Sequence, residues 1–474
     1  MKKGARTCVL FIGLAMALVW SPRSLFAETS IPADGKSNAT ALGKLRKFEL
    51  LNGLRIVIAE RTQSSGLTCS LLVKAGSASD PAGKEGLSYL TARSLIYASQ
   101  KKPAQRWKDE LEDLGAQFAI HSDRESTVFS AELHPEDFRD YLETLRQMIV
   151  RPLLNPSEVE RLKSEILQEL EKSEPERGRN LLRSWVFGAH HPYGAPFRGR
   201  SDTVSGLNMM DVLDFHQTQY LPNDSALIVV GSMESAALMD TVREKLGGWI
   251  KEKKTEGLIP DVRNRERLEV RVIEDQSPGA SVLFGHLGPA RLVPDYYPIR
   301  ILNLIVGGIG EHSRLVQTFR ARGIPLRTLE SHFRFLRTAG EFEIRVELSR
   351  TSALPALKAI LASLGELKDG PVSESELEEA KAKLLEWHEG ILSSDVRVAE
   401  QLAQMELYQL ASDFLLDLPR RVSQVTAERV AEAAKSYLNT SSWFAILTDA
   451  DGTPVESEFS QLGSVHIVRQ RSLE

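Results

Sequence analysis

Residues 75–99 read Ala-Gly-Ser-Ala-Ser-Asp-Pro-Ala-Gly-Lys-Glu-Gly-Leu-Ser-Tyr-Leu-Thr-Ala-Arg-Ser-Leu-Ile-Tyr-Ala-Ser. A turn-rich opening, with Gly76, Pro81, Gly83 and Gly86, gives way to apolar residues at helical spacing, which predicts a helix over 86–98. On such a helix Tyr89 and Arg93 lie one turn apart on a shared face, with Ala92 just before Arg93. Ahead of it, Leu45 to Lys74 alternates around Leu51-Asn52-Gly53 and reads as a hairpin. Behind it, helical periodicity covers 103–114, 135–150 and 156–174, with a strand pair near 116–133. Asn155-Pro156-Ser157 opens the 156–174 helix with residue types suited to a helix start.

The second half repeats the first. Pro-Ser-Glu-Val-Glu-Arg-Leu-Lys from Pro156 parallels Glu-Ser-Glu-Leu-Glu-Glu-Ala-Lys from Glu374, which sets Ser157 on Ser375 and Lys163 on Lys381. A strand, Phe129 to Leu133 or Phe342 to Leu348, precedes each copy in the same order of elements. A period of about 218 residues is too long for a solenoid and points to a duplicated domain. The alternative is chance likeness between two charged amphipathic helices, which leaves the shared order unexplained. The expected fold is therefore α+β, with two homologous domains at 45–250 and 267–455. Each is expected to be an antiparallel sheet backed by helices. A charged, proline-bearing linker at 251–266 joins them, Lys251 to Lys254 being solvated, and 456–474 forms a tail.

The chain has 474 residues, enough for two sizeable cores, and a formal charge of −5 that makes no case for nucleic acid or an anionic membrane. Lys2, Lys3 and Arg6 precede an apolar run from Cys8 to Trp20, and Ser24-Leu25-Phe26-Ala27 follows. This reads as an export signal, 1–27, cut after Ala27 and followed by a loose leader, 28–44, giving a periplasmic or secreted protein. An uncleaved anchor is the alternative, because Leu25 is a poor residue at the third position before the cut. No other stretch approaches the roughly 20 apolar residues that a span requires. Of the two cysteines, Cys8 leaves with the signal, which excludes an internal disulfide. Cys69, in an alternating apolar stretch, reads as core filler rather than a nucleophile.

Several motifs in one order resemble the pitrilysin/insulinase-type (M16) zinc peptidases, over roughly 45–450. They are Asn52-Gly53-Leu54, the 75–99 stretch, Ile166-Leu167-Gln168-Glu169-Leu170, His191-Pro192-Tyr193-Gly194, Tyr220-Leu221-Pro222-Asn223 and Leu227-Ile228-Val229-Val230-Gly231. In that family the helix after the glycine carries His-x-x-Glu-His. Its two imidazoles bind zinc and its glutamate activates the bound water. Aligned on Gly86 and Leu87, these positions fall on Tyr89, Ala92 and Arg93. A phenol is a poor zinc ligand at neutral pH, a methyl moves no proton, and a guanidinium repels a cation. Glu169 keeps the position of the third ligand. The resemblance makes His191 structural, and His190 diverges from it on a loop.

In the second half the family's glycine turn matches Val306 to Leu315, and its substrate-holding arginine matches Arg320. The companion tyrosine falls on Leu326. His388-Glu389 beside Trp387 reads as a surface pair. No catalytic residue, no metal and no cofactor are therefore expected, although the family uses zinc. The resemblance implies a catalytically inactive subunit that pairs with an active M16 partner as a heterodimer, or with itself, and helps enclose a chamber for unstructured peptides. Two alternatives stay open: an active zinc endopeptidase with relocated ligands, and a structural or assembly protein of the cell envelope. An Arg93–Glu169 ion pair is expected to tie the two helices, the arginine fork engaging one carboxylate through two N–H groups.

Overall fold

Asn52 and Gly53 close the first hairpin for reasons visible in their backbone and side chain. Gly53 has φ +84°, open to glycine without penalty. Asn52 Oδ1 accepts from Leu54 N at 3.2 Å, while its amide donates to the carbonyls of Leu246 and Trp249. The computed structural model describes residues 42–97, 117–172, 174–254, 257, 259–262, 268–274, 280–439, 443–449, 462 and 464–468. The expected export signal, the leader up to residue 41, the 103–114 helix and parts of the linker and tail lie outside these residues.

The hairpin strands β1 (Lys44–Glu49) and β2 (Arg55–Glu60) begin a six-stranded sheet with β3 (Leu67–Val73), β4 (Gln117–Ser122), β5 (Thr127–Leu133) and β6 (Ser225–Gly231). Its order is β1-β2-β6-β3-β5-β4. The first half also carries helices α1 (Leu87–Leu95), α2 (Phe138–Ile149), α3 (Pro156–Lys172), α4 (Glu174–Val186), α5 (Ser201–Gly206), α6 (Met209–Gln219) and α7 (Ser235–Leu246). The second sheet holds β7 (Leu268–Glu274), β8 (Ala280–Gly288), β9 (Thr328–Arg334), β10 (Gly340–Leu348), β11 (Trp443–Asp449) and β12 (Ser464–Val468), in the order β12-β7-β11-β8-β10-β9. With it come α8 (Tyr296–Asn303), α9 (Arg314–Ala321), α10 (Ala353–Asp369), α11 (Glu374–Leu392), α12 (Asp395–Leu407), α13 (Phe414–Ser423) and α14 (Ala427–Tyr437).

Five strands correspond one to one between the sheets, β2-β6-β3-β5-β4 with β7-β11-β8-β10-β9, and so do the pairing directions. The sheets are mixed rather than wholly antiparallel. β2 pairs with β6, and β7 with β11, in parallel, because the rest of each half intervenes as the crossover that a parallel pair needs. The outer strands differ. β1 runs antiparallel to β2, whereas β12 runs parallel to β7 and comes from the stretch that the sequence assigns to a tail.

Each sheet has one face covered by its own half and the other by a helix of the opposite half. Ile56, Ile58, Leu71, Leu227 and Phe129 meet Leu90, Leu142 and Ile166 of α1, α2 and α3. The alternate residues Val57, Leu72, Ala226 and Ile228 meet Val398, Leu402 and Met405 of α12. In return, Leu182 and Trp185 of α4 cover Leu283 and Phe444 of the second sheet. Burial on both faces explains why β6 is an unbroken apolar run from Ala226 to Val230 and why β3 is buried throughout, Thr68 and Ser70 included. Charge also crosses the junction: Arg183 Nε lies 2.9 Å from Glu341, and Arg179 Nε 2.9 Å from Glu343, both on β10.

Two local expectations need correction. His388 is buried, 1% exposed, rather than a surface residue, and neither ring nitrogen has a hydrogen-bond partner among the described residues. Lys254 is anchored rather than solvated, donating to Lys74 O at 2.6 Å and pairing with Asp224.

Candidate functional site

α1 begins where it does because Asp80 and Gly86 set its first turn. The Asp80 carboxylate accepts from Gly86 N at 2.8 Å and Ser88 N at 2.7 Å, satisfying N-terminal donors that the helix cannot. Burial pushes this carboxyl up to about 7, against the pull of both donors. Gly86 has φ +98°, and a Cβ there would stand 2.6 Å from Arg198 O, so only glycine lets the 198 loop pass this close. Leu87, Leu90 and Leu95 bury the other face of α1, which leaves Tyr89 and Arg93 facing α3.

Across that gap Arg93 Nη1 donates to Glu169 Oε1 at 2.7 Å and Nη2 to Glu165 Oε2 at 3.1 Å. The fork thus spans two carboxylates one turn apart instead of gripping one. Arg161 engages Glu165 and lies 2.8 Å from Glu158, and Arg198 Nη1 lies 4.0 Å from Glu169 Oε2. The result is an alternating row: Arg161, Glu165, Arg93, Glu169, Arg198. Tyr89 OH donates to Glu169 Oε2 at 3.5 Å. Its ring has the Arg93 and Arg198 guanidinium carbons each 5.6 Å from its centroid and Phe197 edge-on at 5.8 Å. Burial pushes the Tyr89 hydroxyl above its ordinary range, with Arg93 and Arg198 pulling it back, so it is a neutral phenol at neutral pH.

These residues do not fit zinc. A catalytic site needs three ligands and an open position. Here the imidazole positions hold a phenol and a guanidinium, and Arg93 and Tyr89 take one oxygen each of Glu169. Ala92 is 1% exposed and presents no proton acceptor. Among the described residues no group of three His, Cys, Asp or Glu side chains could hold a metal ion elsewhere. His191 is structural in its contacts: its Nδ1 accepts from Tyr193 N at 3.0 Å and its Nε2 donates to Pro260 O at 2.9 Å. Cys69 is fully buried, and burial pushes its thiol well up.

The structure brings Tyr89, Arg93 and Glu169 together, and it keeps Arg320 and Leu326 apart from them. Arg320 is exposed on α9 and pairs with Glu311, while Leu326 packs against the second-half core. The glycine turn is a packing device. Leu304–Gly308 forms a π-helical turn, and a Cβ on Gly307 would stand 2.6 Å from Ser331 Oγ on β9. Sequence reasoning missed Glu165, Arg161, Phe197 and Arg198. Glu165 was open to discovery, because it sits four residues before Glu169 on the same helix face.

Two family profiles match the chain: Insulinase (Peptidase family M16) over residues 55–189, and Peptidase M16 inactive domain over residues 206–384. Tyr89, Arg93 and Glu169 lie within the first. Human mitochondrial cytochrome b-c1 complex subunit 1 is 24% identical over 267 residues, which are 54% of this chain and 54% of that one. The chain thus spans about half the length of the curated relatives matched first. The beta subunit of the rat mitochondrial-processing peptidase is 22% identical over 406 residues, covering 82% of this chain and 81% of that subunit. A crystal structure of a peptidase M16 inactive domain from Pseudomonas fluorescens superposes with TM-score 0.79 at 22% identity, covering 86% of this chain and 98% of that one.

Proposed function

The chain belongs to the M16 peptidase family, and on that premise we propose that it is a catalytically silent subunit that works beside a zinc-bearing sister chain. The observation that carries this reading is the Arg93 guanidinium seated on Glu169, where the family's active members hold a metal between the same two helices. A site closed by its own charges, with alanine in place of the water-activating glutamate, has no means of hydrolysing a peptide bond. What remains useful is the two-sheet scaffold, which can form one wall of a peptide-holding chamber. The basic and then apolar start of the chain favours an exported setting. Two relatives, a cytochrome b-c1 complex subunit and a processing-peptidase subunit, are named as parts of larger assemblies, which favours a partnered role.

The test is to purify the tagged chain under mild conditions from its own cells, identify what comes with it, and assay both forms on an unstructured peptide. The expected result is a stoichiometric partner with an intact His-x-x-Glu-His, activity in the complex and none in the chain alone. Hydrolysis by the isolated chain that Glu169→Gln abolishes would overturn the reading. A purely structural role is the second reading, favoured by the likeness to a cytochrome b-c1 subunit. A stable complex without any peptidase partner would select it.

A further inference from the structure

Where α9 ends against the first turns of α10, the second half carries an open cavity of about 260 Å³, lined by Arg322, Ile324, Leu354, Pro355 and Lys358. Both walls follow from the local sequence. Past the end of α9, the Ile324 N–H reaches back to Phe319 O at 2.9 Å, and the Ile324 side chain joins the second-half core. Arg322, just before this turn, is left exposed at the rim. On α10, Leu354 and Lys358 stand one turn apart and share a face, with Pro355 three residues before Lys358.

The lining combines two chemistries. Its floor is apolar: Ile324 is 8% exposed, and Leu354 packs against the same core. Its rim is cationic. Arg322 and Lys358 are exposed, and neither side chain makes a hydrogen bond or ion pair among the described residues. The lining holds no carboxylate to balance them. Arg320, two residues before Arg322, is by contrast already taken by Glu311. Size narrows the occupant. Pockets for drug-sized ligands run to roughly 300–1,000 Å³, so this one suits about one residue of a peptide.

We propose that the cavity binds the C-terminal residue of a peptide chain, its α-carboxylate between Arg322 and Lys358 and its apolar side chain on Ile324, Leu354 and Pro355. A terminal residue alone carries a carboxylate and an apolar side chain on the same Cα. An aspartate or glutamate commits its side chain to the carboxylate and leaves the floor bare, and inorganic phosphate meets only the rim. The planar fork of Arg322 can take a carboxylate through two N–H groups, while Lys358 adds a point charge and its stem extends the apolar wall. The cavity lies wholly on the second half, so a failure to bind here would leave the Tyr89–Glu169 account standing.

The test is a ligand-observed NMR titration of the full chain at constant ionic strength. Its probes are acetyl-Ala-Ala-Leu as the free acid, the same peptide as its C-terminal amide, and acetyl-Ala-Ala-Asp amide, with inorganic phosphate as competitor. The expected result is saturable binding of the free acid, at least about tenfold weaker binding of both amides, and no displacement by equimolar phosphate. Arg322→Gln and Lys358→Met, both at exposed positions, should each weaken the free acid at least about fivefold and leave the circular dichroism spectrum unchanged. Absence of saturable binding of the free acid would overturn the proposal. So would an amide that binds as tightly as the acid, displacement by equimolar phosphate, or binding that both variants leave unchanged.

Discussion

Arg93 Nη1 on α1 and Glu169 Oε1 on α3 face each other across 2.7 Å, an ion pair that ties the two helices. Their side chains are 22% and 39% exposed, so the contact is half solvated. That decides its magnitude. A fully buried pair broken on one side would cost roughly 3–5 kcal/mol, whereas a solvated one contributes at most about 1. A double-mutant cycle on Arg93→Ala and Glu169→Ala should therefore give a coupling of about 0.5–1 kcal/mol. The value should fall with added salt. Zero coupling would mean that the two charges act only through Glu165 and Arg198.

Tyr89→His with Arg93→His should regain metal binding, since the two imidazoles would sit one turn apart opposite Glu169. Adding Ala92→Glu should cost stability, because residue 92 is almost fully buried and a carboxylate there is hard to solvate. The triple variant is expected to bind zinc but to remain a poor peptidase. Zinc titration against thermal unfolding checks the first part, and hydrolysis of an unstructured peptide checks the second.

Glu341 is 2% exposed and holds Arg183 of α4 at 2.9 Å and Arg334 at 3.1 Å. Glu341→Ala takes away a carboxylate that the buried Arg183 and the partly exposed Arg334 both engage, at the place where the first half grips the second sheet. A loss of roughly 3–5 kcal/mol is expected, read from denaturant unfolding. A loss below about 1 kcal/mol would mean that α4 is held by its apolar face alone.

Burial pushes His286 and His388 down to about 4. Their unfolded values lie near 6.5, so between the two pH values the unfolded chain binds more protons. The stability they contribute is fully present above about pH 6.5 and is lost as pH falls toward 4, on the order of 3 kcal/mol each at most. Nε2 of His286 accepts from Asn439 N at 3.3 Å, a bond that the protonated ring cannot make. His388→Leu should flatten the pH–stability curve in this window. An unchanged slope would remove His388 from the account.

Much of this was legible in the chain. Gly86 followed by an apolar helical stretch located α1, and the paired runs at Pro156 and Glu374 announced that one plan was used twice. Tyr89, Arg93 and Glu169 were readable as a set because each replaces or keeps a position with defined chemistry. The rest depended on contacts between distant segments. Nothing local to Arg198 ties it to Tyr89, and nothing around Asp395–Leu407 indicates that this helix covers the other half's sheet. The parallel pairing of β2 with β6 was hidden for the same reason. His388 misled because a polar pair on a charged helix reads as surface, whereas the packing of α11 buries it.

The most direct test of the closed metal position is elemental analysis of the purified full-length chain after dialysis against a weak chelator. The expected result is no stoichiometric zinc in the wild-type protein and no change on Glu169→Gln, because Arg93 already occupies that carboxylate. About one zinc per chain, retained through dialysis and lost in Glu169→Gln, would contradict it.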